Sequence, residues 1–291
     1  MLLGGCDTVS TDPESEVVVE AYLVAGEPLP PVRLTQSVAA TERFTPADAA
    51  VQSADVAIQR LNTDGSVEAT YPYEESDSLS IYQPVDDTPR VVPRTRYRLN
   101  VSTSDGATVR AETTVPDTIT VLDVANTDVV YQGAEQPQFT IRPAQGTDRP
   151  RTYAFAITSQ LDFETLSEEA LAAELTPFYA DAYDPDEDNI AEFERGASPL
   201  INEDSFTFND DGTITLDVPW IGFAFYGANT VTINAPDENY YDLIRTQTAQ
   251  QGGLAPGEIP NVIDRVEGGT GIFGSLSRTG ATITIERPPG F

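Results

Sequence analysis

Arg96-Tyr97-Arg98-Leu99-Asn100-Val101 alternates polar with apolar side chains, turns at Ser104-Asp105-Gly106 and returns through residues 107–115. A period of two puts Tyr97, Leu99 and Val101 on one face and Arg96, Arg98 and Asn100 on the other. That is the signature of a half-buried hairpin rather than a helix. The same pattern runs upstream. Val17–Val24 reads as a strand stopped by Gly26-Glu27-Pro28, residues 32–38 as a second, and residues 46–50 as a loop or short helix. Residues 56–61 turn at Asn62-Thr63-Asp64-Gly65 into 67–73, a second hairpin. About seven strands in about a hundred residues, with a turn every ~8–12 positions, predict an immunoglobulin-like β-sandwich over residues 16–116, closed by Pro116.

Residues 117–291 read as a second β-rich domain with about two helices, so the fold class expected is mainly β. Strands are predicted at 119–124, 138–142, 153–158, 230–234 and 282–286, and a hairpin at 206–209 and 213–218 across Asp210-Asp211-Gly212. Ser167 predicts the cap of a helix over 167–175, with Glu168 and Glu169 in the first turn where the helix dipole favours acids. Pro236 predicts the start of a helix over 236–251, stopped by Gly252-Gly253. Between the helices, residues 181–204 are irregular and acidic.

Composition narrows the function. The chain has 291 residues, 40% of them hydrophobic, so it can bury real cores. Its 47 acids outnumber 16 bases, a net charge of −31, and every base is arginine. Such an excess repels nucleic acid, which is not expected as a partner. The acids are spread along the whole chain, which favours a surface adapted to high salt over a dedicated acidic site. Histidine is absent, which removes the commonest general base, nucleophile activator and zinc ligand. The expectation is a non-enzyme.

The front of the chain sets the expected location. Leu2-Leu3-Gly4-Gly5-Cys6 resembles the end of a bacterial lipoprotein signal, with small residues before the only cysteine. Residues 1–5 then belong to the signal peptide, Cys6 is the lipidated residue, and residues 6–15 are a polar tether. No run of ~20 apolar residues is present to span a bilayer, so membrane contact is expected through the N-terminal lipid alone. The implied place is the cell envelope, at the outer membrane.

The two ends of the chain also resemble a family. VVVEAYLVAGEPLPPVRLTQS, from Val17, is similar to the start of Bacteroidetes-type envelope lipoproteins grouped as domain of unknown function four-two-four-nine. The family's C-terminal signature is a Tyr-Tyr helix followed by Asn-x-x-Gly-Gly-x-Gly-x-Phe-Gly. Asn239-Tyr240-Tyr241-Asp242-Leu243 and Gly268-Gly269-Thr270-Gly271-Ile272-Phe273-Gly274 resemble it, with Asp264-Arg265-Val266 where the asparagine is usual. The resemblance implies an accessory or binding protein associated with TonB-dependent uptake through an outer-membrane receptor. It implies no catalytic residues and no cofactor.

Several segments invite a sharper reading. The glycines 268, 269, 271 and 274 are not a phosphate loop, since no lysine follows and a strand stands where a helix should; they are expected to shape the backbone, with Ile272 and Phe273 plugged into the core. Asp184, Asp186 and Asp188 alternate as in calcium loops, but Asn189 and Arg195 occupy the positions where an EF-hand needs Gly and Glu. They remain candidate calcium ligands against a solvated acidic loop. Trp220, Phe223, Phe225 and Tyr226 lie in PWIGFAFYG, where a strand would bury alternate residues. Trp220 and Tyr226, with Tyr240 on the predicted helix, are candidate ligand or partner contacts. If exposed, they would favour a glycan-binding or adhesive β-sandwich lipoprotein. A carboxylate-dependent hydrolase is the remaining alternative, and with so many acids an ordinary pair spacing carries no weight. Nothing in the sequence sets an oligomeric state.

Overall fold

A computed structural model describes residues 15–39, 43–143, 152–251 and 265–290; Cys6 and all of the tether but Ser15 lie outside them. The N-terminal half forms β1 (Val17–Val24), β2 (Val32–Gln36), β3 (Asp55–Leu61), β4 (Val67–Glu75), β5 (Ile81–Pro84), β6 (Arg96–Ser102) and β7 (Thr108–Thr114). The β6–β7 hairpin carries the expected alternation, with Tyr97, Leu99 and Val101 at most 1% exposed. Its turn closes with Gly106 N–H donating to the Thr103 carbonyl at 3.0 Å, at a positive φ of 93°. The β3–β4 turn likewise closes from Gly65 N–H to the Asn62 carbonyl at 2.9 Å. β5 breaks no rule of strand chemistry, yet it is short and ends in proline, so its pairing with β2 and β4 was not legible.

Beyond Val115 the chain continues through β8 (Thr120–Ala125), β9 (Asp128–Val130), β10 (Gln138–Arg142) and β11 (Thr152–Ser159). Two short helices follow, α1 (Glu168–Ala172) and α2 (Pro177–Ala182), then β12 (Arg195–Ala197), β13 (Ile201–Asn202), β14 (Thr207–Phe208) and β15 (Ile214–Asp217). The C-terminal part is β16 (Gly227–Pro236), α3 (Glu238–Gln251), β17 (Val266–Glu267) and β18 (Thr270–Glu286). Ser167 caps α1 as expected, its Oγ accepting from Ala170 N–H at 3.2 Å, but the helix ends at Ala172 rather than 175. Residues 174–176 instead extend alongside 224–226. Pro236 does not open α3; it ends β16, and Asp237 makes the turn between them.

The molecule is mainly β, with one large mixed sheet and one small one. The large sheet runs β12-β11-β16-β18-β1-β2-β5-β4-β3-β6-β7-β17. Because β17 turns directly into β18, and β18 also touches β7, the first half rolls over a core that includes Val19, Leu34, Ile58, Leu99 and Phe273. The small sheet, β14-β15-β10-β8, faces β11, β16 and the end of β18 across a second core. Phe139, Ile141 and Leu216 come from one layer, and Phe155, Val231 and Ile283 from the other. A third, smaller cluster lies under α1 and α2, built on Leu171, Leu175, Ile190 and Phe225.

β18 is the longest described strand, and the sequence hid most of it. Strand character was legible only over 282–286, whereas the strand covers 17 residues. Its first part pairs in parallel with β1, Val18 opposite Thr270 through Val24 opposite Leu276. Its second part pairs antiparallel with β16, Leu276 opposite Pro236 through Ile285 opposite Gly227. One strand thus serves both cores.

Candidate functional site

Polar chemistry concentrates where β18, β7 and the start of α3 meet. β18 enters this seam with its backbone pressed against its neighbours, and the glycines follow from that. At Gly271, φ is +108° and a Cβ would stand 2.1 Å from the Val19 carbonyl oxygen. At Gly268, φ is +75° and a Cβ would stand 2.2 Å from the Thr108 carbonyl oxygen. A side chain is excluded at both positions by backbone, which cannot move aside. Gly269 faces the Val17 carbonyl at 2.5 Å, while Gly274 meets only side-chain atoms of Ile272 and Tyr240, at 3.3 Å. Phe273 goes into the first core, 1% exposed.

The N-terminus of α3 is stitched to the same seam. The Asp237 carboxylate accepts from the Tyr240 amide at 2.9 Å and from the Thr113 hydroxyl, and the Thr113 and Ser275 hydroxyls lie 2.7 Å apart. The Asp237 amide donates to the Ser275 carbonyl at 2.8 Å. Asn239 donates through Nδ2 to the Glu112 carbonyl at 2.7 Å and the Phe273 carbonyl at 2.8 Å. Burial pushes the Asp237 carboxyl above the usual aspartate range, outweighing the hydrogen bonds that pull it down. Tyr240, a candidate contact residue, is half-buried and packs its ring on Tyr22 at 5.1 Å. Burial first, and then Glu20 and Tyr240, push the Tyr22 hydroxyl up to about 12.

The solvent side of the seam is charged. Glu112 accepts from Arg98 Nε at 2.8 Å and Arg110 Nη2 at 3.0 Å, with Arg96 Nε 3.8 Å away. Burial raises this carboxyl, but the Arg110 and Arg98 hydrogen bonds outweigh it and hold it below the usual glutamate range. Arg265 stands just before β17. It pairs with Asp242 at 2.6 Å and Glu238 at 3.5 Å. A shallow depression of about 280 Å³ is lined by Arg110, Ala111, Glu112, Asn239, Arg265 and Glu267. Of these, only Asn239 and Arg265 lay in a stretch the sequence drew attention to, as parts of the family-like C-terminal motif rather than as a site. Arg96 and Arg98 were visible as the outward face of the hairpin, but Arg110, Glu112 and Arg265 join them only through strand register and the return of β17.

A second polar-apolar contrast lies on the flank carrying α1 and α2. PWIGFAFYG is not the strand expected there. Trp220 to Gly222 form a 3₁₀ turn, and Phe225 makes an isolated bridge to Leu175. Trp220 is half-buried against Tyr131 at 5.6 Å and Phe223 at 6.2 Å. Tyr226 is 4% exposed, with the Arg287 guanidinium over its ring at 4.6 Å, so its face is not available to a ligand. The exposed apolar side chains here are different ones. Phe178 is 52% and Ile221 58% exposed; they flank Tyr179, which contacts the Phe178 and Phe193 rings at 5.2 and 5.5 Å and donates to the Ile221 carbonyl at 2.9 Å.

Asp184, Asp186 and Asp188 sit on the exposed rim of this flank. Two of the three carboxylates are turned on their own loop: the Asp184 amide donates to Asp188 at 2.8 Å and the Asp186 amide to Asp184 at 3.0 Å. Among the described residues no group of three or more His, Cys, Asp or Glu is placed to hold a metal ion. Among them also, no helix is long and apolar enough to cross a membrane.

Comparison with known proteins gives a family and little else. No curated protein matches the chain. Among solved structures, a tetra-tandem repeat in the extending region of a large adhesion protein is 13% identical, covering 94% of this chain and 49% of its own, with a TM-score of 0.23. Alpha-2-macroglobulin of Salmonella, reacted with methylamine, is 11% identical over 94% of this chain and 15% of its own, with a TM-score of 0.25. Three N-terminal domains of the outer capsid protein Hoc of bacteriophage RB49 are 10% identical over 94% and 71%, with a TM-score of 0.22. At scores this low the likeness establishes neither a common fold nor a common role, and the chain spans only about half of that adhesion-protein chain. The sequence model of one family, described as domain of unknown function (DUF4249), matches residues 7–281. That match takes in the Tyr-Tyr helix, the glycine seam, the first core and all of the second but Ile283 and Ile285, and the chain belongs to this family.

Proposed function

We propose that this protein is a non-catalytic accessory protein of the bacterial cell envelope, held at the outer membrane through lipid on Cys6 and docking onto a receptor of TonB-dependent uptake. The observation that carries the docking is the apolar patch of Phe178, Tyr179 and Ile221. Half-exposed rings and a β-branched chain next to one another are costly in water and mark contact surfaces. Asp181, two positions after Tyr179, and Glu192, next to the Phe193 that Tyr179 contacts, are both exposed, so the partner surface expected is apolar at its centre and basic at its edge. The non-catalytic part is supported by the seam, where Asp237, a carboxylate that burial raises above its ordinary range, is committed to capping α3.

Affinity capture of the tagged lipoprotein from gently solubilised envelopes tests the reading. The wild type is expected to enrich a TonB-dependent receptor identified by mass spectrometry. A Phe178→Asp, Ile221→Asp double variant is expected to lose roughly nine-tenths of it, as for loss of a contact centre. Undiminished recovery by the double variant would remove the patch from the interface. Absence of any receptor together with binding on a glycan array would replace the proposal with the glycan-binding reading.

A further inference from the structure

Ser15 leads straight into β1, so a pull that arrives along residues 6–15 is delivered to Val17 before it reaches any other strand. The neighbours of β1 then decide what that pull must break. On one side β2 runs antiparallel, Val17 opposite Gln36 through Glu20 opposite Arg33. On the other side β18 runs parallel over seven register pairs, from Val18 opposite Thr270 to Val24 opposite Leu276. Direction makes these two ladders mechanically different. Antiparallel strands pulled from adjoining ends open one pair at a time. Parallel strands pulled from the start of one and the end of the other hold every evenly spaced bond under tension together.

β1 is also fastened at both of its ends. Upstream, Ser15 Oγ donates to the Ser37 carbonyl at 2.7 Å, the Glu16 amide to Ser37 Oγ at 2.9 Å and the Ser37 amide to the Glu16 carbonyl at 2.8 Å. Downstream, the Ala25 amide donates to the Leu276 carbonyl at 2.9 Å, and Arg278 grips the Glu27 carboxylate at 2.5 and 2.6 Å. Between these ends Val19, Ala21 and Leu23 are at most 2% exposed, so a slip of one residue would drive Glu20 and Tyr22 into the core. At Gly269 and Gly271 the two backbones lie against each other with no side chain between them. We infer that β1 and β18 form a shear clamp, which passes tension on the N-terminal tether into the body of the molecule instead of letting the first strand peel away. Because β18 serves both cores, both share that tension. The source of the tension, lipid on Cys6 with a partner holding the body, rests on the function proposed above; the clamp itself does not.

Stretching single molecules of the unlipidated full chain in optical tweezers is the test. Cys6, the only cysteine, takes one handle, and the second sits either at the C-terminus or on Val38→Cys, just past β2. Held by Cys6 and the C-terminus, the β1–β18 ladder is sheared; held by Cys6 and residue 38, the β1–β2 ladder is unzipped. Forced opening reports the barrier of the contact under tension, so the first geometry is expected to need a severalfold higher force at the same pulling rate. Its first rupture should release β1 through β7 together, read as extension at about 3.5 Å per residue. Arg278→Ala removes one fastening and is expected to lower the force in the first geometry while leaving the second unchanged. Equal forces in the two geometries, or a low-force first step no longer than the 8 residues of β1, overturn the inference. So does an Arg278→Ala effect of equal size in both, which would be an ordinary loss of stability. Intact mass of the protein taken from envelopes reads the lipid separately. A chain that clamps but carries no lipid removes the proposed anchor, and a lipidated chain that peels removes the clamp.

Discussion

The glycine seam and the aromatic flank solve the same problem, holding one segment against another, by opposite means. In the seam, backbone meets backbone: β18 pairs with β1 and with β16, and even a methyl group at Gly271 has no room. On the flank few ladder bonds exist, and rings do the work, Phe163 on Phe225 at 5.3 Å and Tyr183 on Phe193 at 6.0 Å. The difference teaches where each region is fragile. The seam is broken by the gain of a side chain at its glycines, and the flank by the loss of a ring.

Three substitutions bear on that contrast. Gly271→Val places a branched side chain at positive φ against the Val19 carbonyl, and is expected to cost on the order of 5 kcal/mol or to abolish folding. Because β18 serves both cores, hydrogen exchange should rise in β6 and in β16 together; a rise confined to the first half would make the two cores separate units. Phe225→Ala empties the centre of the third cluster, where the ring is 0% exposed, at a cost of about 3 kcal/mol. Exchange should then rise across residues 161–194 while β6 and β7 keep their protection, and global unfolding in its place would erase the distinction between seam and flank.

Asp237→Asn is the gentlest of the three. Asparagine caps helices as well as aspartate, so stability at neutral pH should change by less than about 1 kcal/mol. The pH dependence carries the information. The Asp237 carboxyl is raised in the folded state, so the unfolded chain gives up this proton first. The contribution of this group to stability is complete below the ordinary aspartate range and is lost as pH rises through the elevated value. Wild type should therefore lose stability relative to Asp237→Asn across that interval. A difference between the two that stays flat with pH would mean the carboxyl titrates normally.

Legibility followed the same division. Strands whose one face is buried announced themselves, as at Val17–Val24 and Arg96–Ser102, because alternation survives when one face is wet. The first part of β18 did not: residues 272–277 are all buried, and glycines replace the pattern that would reveal a strand. α2 went unread: its last two residues fall in the acidic run from 181, and none of its residues is buried, so no apolar stripe marks it. At the candidate site, the outward arginines of β6 were in plain view. Their gathering with Arg110 around Glu112 was not, because it depends on the β6–β7 register.

The shared strand also sets the order in which this molecule can be finished. Glu27 and Arg278, 251 positions apart, close on each other with Nε–Oε1 at 2.5 Å and Nη2–Oε2 at 2.6 Å. The strand that completes the first half is thus made long after β1, the strand it pairs with. Loop-closure entropy grows only slowly with length, as about (3/2)RT ln n, so the delay costs little at equilibrium. Kinetically it is decisive: pairings this remote are the slow ones, and until β18 arrives β1 has an open edge. A chain cut short before Thr270 would leave that edge unpaired for good, and aggregation rather than a smaller folded piece would be its fate.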